Sequence, residues 1–291
     1  MIVHYQGGNS MQKICKLTVL IFVFTFISLF SATGTCYAGA WTMKQGKLYD
    51  RFGINYYFAN EEFDNDGDRR DFSADGEFKD FHLNNYIEFG ITDSITLINS
   101  IYYKSIEKED DNVKQETWGI GDIDVGAKFK IAEGPWGILS TQTLVKIPAY
   151  DDNDDLPLGN GQIDFEIRLL YGRSLYPYIP AYCNFEIGYR WRFEDPSDEL
   201  RYLIEFGVDF TKNIYGRVKL DGIYSMDNGK HLDTSGNPTT TNNFDLGKLD
   251  TALGYKISKG WGIELGYTPE IYGQNTASGA TYTLAVTYQM P

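Results

Sequence analysis

Cysteine is nearly absent from this chain, with Cys15, Cys36 and Cys183 the only three in 291 residues. Two of them fall in a leader that reads as removed on export. The remainder holds only Cys183 and can form no intramolecular disulfide. Histidine is as scarce, and beyond the leader only His82 and His231 remain. Acid–base or nucleophilic catalysis needs a base positioned beside a nucleophile or an activated water. His231 stands near Asp233 and Ser235, but the trio is local and lacks a scaffold. No G-x-S-x-G segment accompanies it. The reading therefore expects no catalytic residue and no cofactor. Long apolar runs are missing too. Past residue 40 no stretch is apolar enough for a spanning helix, and a mean hydropathy of −0.34 excludes a helical membrane bundle. It does not exclude a β-barrel, whose spanning strands are only half apolar. Of the nine prolines, several cap strands or sit in connections, and Pro180 alone lies just inside an expected strand start.

The leader itself has the parts of an export signal. Lys13 and Lys16 form a basic region, Leu17 to Phe30 an apolar core, and Ala38-Gly39-Ala40 an A-x-A cleavage site. The core is shorter than a spanning helix requires. Thr33-Gly34-Thr35-Cys36 makes a poor lipoprotein site. The expected division is residues 1–40 as signal peptide, with 1–10 as an upstream start before Met11, and residues 41–291 as one domain.

That domain alternates. From Tyr178 to Phe193, Ile179, Ala181, Cys183, Phe185, Ile187, Tyr189, Trp191 and Phe193 share one face of a strand. Asn184, Glu186, Arg190 and Arg192 fall on the other. The same rhythm predicts twelve strands, near 47–58, 78–89, 95–106, 118–131, 137–147, 162–172, 178–193, 200–210, 214–226, 244–257, 261–268 and 279–290. Five connections are short (90–94, 132–136, 173–177, 211–213 and 258–260). Those between them (59–76, 107–117, 148–161, 194–199, 227–243 and 269–278) are mostly longer and polar. Short turns at one end and long loops at the other, with an even strand count, define an all-β fold: a transmembrane antiparallel up-and-down β-barrel of the Gram-negative outer membrane. Closure pairs every backbone group that hydrocarbon would otherwise leave unsatisfied. Aromatic girdles at the two interfaces account for the 22 tyrosines and 18 phenylalanines.

Charge is divided by position. The six long connections hold 23 acidic and five basic residues, and the rest of the mature chain 17 acidic and 19 basic. Acidic runs such as Asp151-Asp152-Asn153-Asp154-Asp155 read as solvated surface or as collectors of divalent cations. Asp64, Asp66 and Asp68 are weak metal candidates: they imitate the start of a calcium loop, but Arg69 replaces its glycine and no glutamate closes it. On the strands, charge costs too much on a lipid-facing side and is assigned to the lumen. Arg51, His82, Glu88, Asp122, Asp124, Lys128 and Lys146 are the lining candidates from the first half. Glu166, Arg168, Glu186, Arg190, Glu205, Arg217 and Glu264 are those of the second. They form either a stiffening ion-pair network or a lining that orients a solute. Twelve strands lie between a barrel filled by its own side chains and one with an open channel, so a narrow or loop-constricted path is expected.

Three segments resemble a known family. Gly119-Ile120-Gly121-Asp122-Ile123-Asp124-Val125-Gly126-Ala127-Lys128 is similar to the G-x-G-D-x-x-x-G-x-K strand of the outer-membrane family named for meta-pathway phenol degradation. Gly90-Ile91-Thr92-Asp93-Ser94-Ile95-Thr96-Leu97 resembles its G-[IL]-T-D turn. The 148–161 loop, ending Leu158-Gly159-Asn160-Gly161, resembles another of its segments. The resemblance implies an outer-membrane transporter for small hydrophobic or aromatic solutes. The C-terminus departs from many barrels, because Tyr288 is followed by Gln289-Met290-Pro291 rather than ending the chain. Expected partners are outer-membrane lipid, the barrel-assembly machinery and a small-molecule solute, with no nucleic acid. The alternatives are a structural or surface-binding barrel without transport, or a barrel-borne hydrolase.

Overall fold

A computed structural model describes residues 39–150, 154–194, 196–226 and 236–291. The expected leader core, Asp151 to Asn153 and the trio at His231, Asp233 and Ser235 lie outside these residues. Thirteen strands follow in chain order. They are β1 (Leu48–Phe63), β2 (Arg69–Asp71), β3 (Glu77–Thr92), β4 (Ile95–Glu109), β5 (Lys114–Gly134), β6 (Gly137–Pro148) and β7 (Asp164–Ser174). Then come β8 (Ala181–Arg192), β9 (Glu199–Asp209), β10 (Ile214–Ser225), β11 (Asp245–Ser258), β12 (Trp261–Gln274) and β13 (Thr276–Gln289). Twelve pair antiparallel with their chain neighbours, and β13 returns to β1 from Tyr49↔Gln289 to Phe63↔Thr276. The result is a closed antiparallel twelve-stranded barrel. The short β2 folds back on the far end of β1, pairing Glu61↔Asp71 to Phe63↔Arg69.

The alternation sets the faces. On β8, Phe185 and Ile187 are 43% and 53% exposed on the outer wall, while Asn184 between the strands' interior neighbours is wholly buried. Exposed aromatic side chains gather toward both ends, Trp136 and Trp261 at the short turns, Trp118 and Phe193 at the long loops. Girdles do not account for all the tyrosine, however. Tyr57, Tyr86, Tyr182 and Tyr215 point inward and give their hydroxyls to Glu270, Glu88, Glu205 and Glu264.

The long connections are shorter than their polarity implied. Only Asn275 separates β12 from β13, residues 110–113 separate β4 from β5, and β1 runs on to Phe63. Beyond the apolar belt both faces of a strand are wet, so the alternation fades while the ladder continues. Pro180 lies just before β8, and its missing N–H costs no pairing. One strand changes phase: Ile101 faces Ile123 and Tyr103 faces Ile120, so β5 carries one extra residue at Gly121–Asp122. This β-bulge puts Trp118 and Ile120 on the outer wall before it, and Val125 and Phe129 after it. A single alternation over 118–131 could not describe both halves.

Candidate functional site

The interior brings the charged candidates together as pairs. Cross-strand register does this directly: Glu166 faces Arg190, and Lys146 faces Asp164. Arg168 bridges Glu166 and Glu186 at 2.6 and 2.7 Å, and Arg190 reaches Glu166 at 2.8 Å. Lys146 lies 3.1 Å from Asp164 and 3.6 Å from Asp122. Arg51 meets Glu264 at 2.9 Å, and Lys128 meets Glu88 at 3.0 Å. His82 is held by Asp80 at 3.1 Å, and Asp80 also pairs with Lys104 at 3.0 Å. Glu205 accepts the Tyr182 hydroxyl at 2.6 Å. Asp124 is half-buried on the inner face, directly across from Lys146. Arg217 is the loosest of the set, with its nearest carboxylates, Asp250 and Glu264, at 3.7 and 4.0 Å.

At the long-loop end, residues 154–163 between β6 and β7 cross the mouth. Leu156 and Leu158 bury against Tyr57, Ala59, Phe78, Ile106 and Ala277, which come from β1, β3, β4 and β13 on the other side. The family-like strand and loop meet here. Asp122, aimed by the bulge, accepts the Tyr150 hydroxyl at 3.0 Å, and that oxygen accepts the Gly161 N–H at 3.0 Å. A side chain on Gly159 would collide with the Tyr150 hydroxyl. Lys104 and Lys146 hold the Leu158 carbonyl and the Asn160 amide oxygen at 3.2 and 2.7 Å. The alternating pattern contained Tyr57, Phe78 and Ile106, but nothing in it marked an apolar patch on a wet face.

At the short-turn end, residues 39–47 lie inside the wall before β1 begins. Ala40 packs with Ile138, Leu170 and Trp41. Its N–H donates to Asn184 Oδ1 at 3.0 Å, and its carbonyl accepts from Ser140 Oγ at 2.5 Å. Lys128 Nζ donates to the Trp41 carbonyl at 3.2 Å, and Thr96 Oγ1 accepts the Met43 N–H at 2.8 Å. The Gly90 turn receives the chain as it leaves, through Gly46 N–H to the Gly90 carbonyl at 2.8 Å. This strap therefore runs over the sector from β8 back to β3.

The remaining sector, β8 through β13 to β1, keeps a cavity of about 370 Å³ at the same end. Tyr49, Tyr182, Tyr215, Arg217 and Glu264 line it. Two of the rings lie flat on the wall because their cross-strand partners are glycines: Tyr182 faces Gly207, and Tyr215 faces Gly254. A Cβ at either glycine would fall within the ring. The cavity is apolar on its ring faces and polar at the hydroxyls and at Arg217.

The acidic connection after β1 is engaged with itself. Asp64 Oδ1 accepts the backbone N–H groups of Asp66 and Asp68 at 2.8 and 3.0 Å, and Oδ2 pairs with Arg70 at 2.5 Å. Among the described residues no group of three or more His, Cys, Asp or Glu is placed to share a metal ion.

No family model and no curated protein matches the chain. Among solved structures it is similar to an outer membrane channel from Pseudomonas putida F1, with a TM-score of 0.72 and 11% identity over 88% of this chain and 100% of that one. It is also similar to the NanC porin, with a TM-score of 0.51 and 10% identity over 83% of this chain and 98% of that one. Identities this low speak for architecture alone, and the chain has the barrel fold found in outer membrane channels and porins.

Proposed function

We propose that this barrel is an outer-membrane channel for passive uptake of small hydrophobic or aromatic solutes, exported with a cleaved signal peptide. The observation that carries the reading is the tyrosine-lined cavity beside Arg217, in the one sector of the short-turn end that the strap leaves clear. The outer belt of Phe185, Ile187, Ile204 and Phe206, each more than 40% exposed, is suited to hydrocarbon and not to water. The resemblance of three segments to the family named for meta-pathway phenol degradation supports the same reading. Those three segments hold the loop at one mouth and the strap at the other. A solute entering past residues 154–163 would meet the mixed-charge interior and leave along the flattened rings.

A second reading is a closed structural barrel, and the two seated segments together with the dense ion pairs favour it. The two readings separate in liposomes loaded with an osmolyte and exposed to benzoate or phenol. A channel swells the vesicles at a rate above that of protein-free controls. Swelling no faster than the controls supports the structural barrel.

A further inference from the structure

We propose that export processing cuts the chain between Ala38 and Gly39, two residues before the bond that Ala38-Gly39-Ala40 suggests, so that the mature protein begins at Gly39. The inference rests on the export reading above and concerns which bond is hydrolysed. Both bonds suit a signal peptidase, which requires small residues one and three positions before the cut. Cys36 and Ala38 satisfy this for the earlier bond, and Ala38 and Ala40 for the later one.

The folded barrel distinguishes them. Ala40 is wholly buried, and it gives its N–H to Asn184 and receives the Ser140 hydroxyl. Asn184 and Ser140 are themselves wholly buried. Removing Gly39 and Ala40 would strip both of these groups of their bonds and empty the space between Ile138, Leu170 and Trp41. Buried polar groups without partners are costly and rare in native structures. The later cut would also place a new ammonium on Trp41, whose carbonyl already holds the buried ammonium of Lys128 at 3.2 Å. Two cations would then meet at one residue, with Glu88 already paired to the first. Gly39 has the shape of a retained residue. Its φ is +66°, and it lies so close to the Asn184 amide that no side chain fits.

In the reaction, water adds across the Ala38–Gly39 peptide bond under a membrane-bound signal peptidase. The Ala38 carbonyl carbon takes the water oxygen and leaves as a carboxylate on the signal peptide, while the Gly39 nitrogen ends with both of the water's protons and becomes an ammonium. That ammonium is delivered next to Asn184, whose amide donates to Glu186 at 2.7 Å. It therefore stands beside Asn184, two residues before the carbonyl that Lys128 holds.

The test is N-terminal sequencing and intact mass of the full-length gene product isolated from outer membranes. A chain beginning Gly39-Ala40-Trp41 is expected. A chain beginning at Trp41 overturns the proposal while leaving export intact, and a chain that keeps Leu17 to Phe30 overturns the export reading as well. An Ala40→Asp variant supplies a readout independent of folding, because processing precedes assembly. It abolishes the small residue before the later bond and leaves the earlier bond usable. Pulse-labelled precursor is expected to be processed at Gly39 as fast as the natural chain, and accumulation of uncleaved precursor would overturn the proposal.

Discussion

Lys128 Nζ lies 3.0 Å from Glu88 Oε1, with both side chains almost completely buried, and the same ammonium holds the carbonyl of Trp41. One buried ion pair thus joins β3 to β5 and ties the strap to both. Removing one partner of such a pair strands the other in a place water cannot reach, which costs about 3–5 kcal/mol. Lys128→Met is therefore expected to destabilise the barrel by roughly that amount in lipid. Lys128→Met combined with Glu88→Leu should recover most of the loss, because no charge is left unpaired. Denaturant unfolding in detergent micelles or vesicles measures both. The single variant should also show larger or noisier conductance, since the strap loses an anchor.

The faces of β8 give a second expectation. Ile187 stands 53% exposed on the outer wall, next to Glu186 within the lumen network. Ile187→Arg should cost about 2–4 kcal/mol on folding into a bilayer. Glu186→Gln keeps its hydrogen-bonding capacity toward Arg168, which Glu166 also holds at 2.6 Å, and should cost less. Folding free energies in vesicles compare the two directly, and equal losses would contradict the assigned faces.

The loop at the far mouth yields a third. Leu158 is buried among Tyr57, Phe78 and Ile106. Leu158→Asp replaces that apolar packing with a carboxylate, so residues 154–163 should leave their seat while the strands stay paired. Circular dichroism should retain the β-sheet signal, proteolysis in the loop should become faster, and solute flux should rise. Unchanged flux with a released loop would mean that the segment does not limit passage.

Much of the barrel was legible because one physical cause repeats along the chain. Phe185 and Ile187 must face oil, Glu186 and Arg190 must not, and that demand writes a period of two into every spanning strand. Strand ends were not legible where the alternation fades: Glu61 to Phe63 and Glu270 to Gln274 are paired strands beyond the alternating stretches. The bulge at Gly121–Asp122 escaped because it inserts one residue into an otherwise regular rhythm. Individual ion pairs such as Arg51 with Glu264 depend on how β1 and β12 come round the barrel, which no local pattern encodes. The inward tyrosines were hidden by their resemblance to interface aromatics. For Tyr182 and Tyr215 the signal was their cross-strand glycines, readable only once the register was known.

Single-channel recording in planar bilayers tests the central claim most directly, comparing the natural protein with a Gly254→Trp variant. Gly254 lies under the Tyr215 ring, so the larger side chain must drive that ring into the cavity beside Arg217. Discrete conductance is expected for the natural barrel, with its loss or sharp reduction in a variant that still folds and inserts. Equal conductance in both would place the path elsewhere, and a silent natural barrel would contradict a channel altogether.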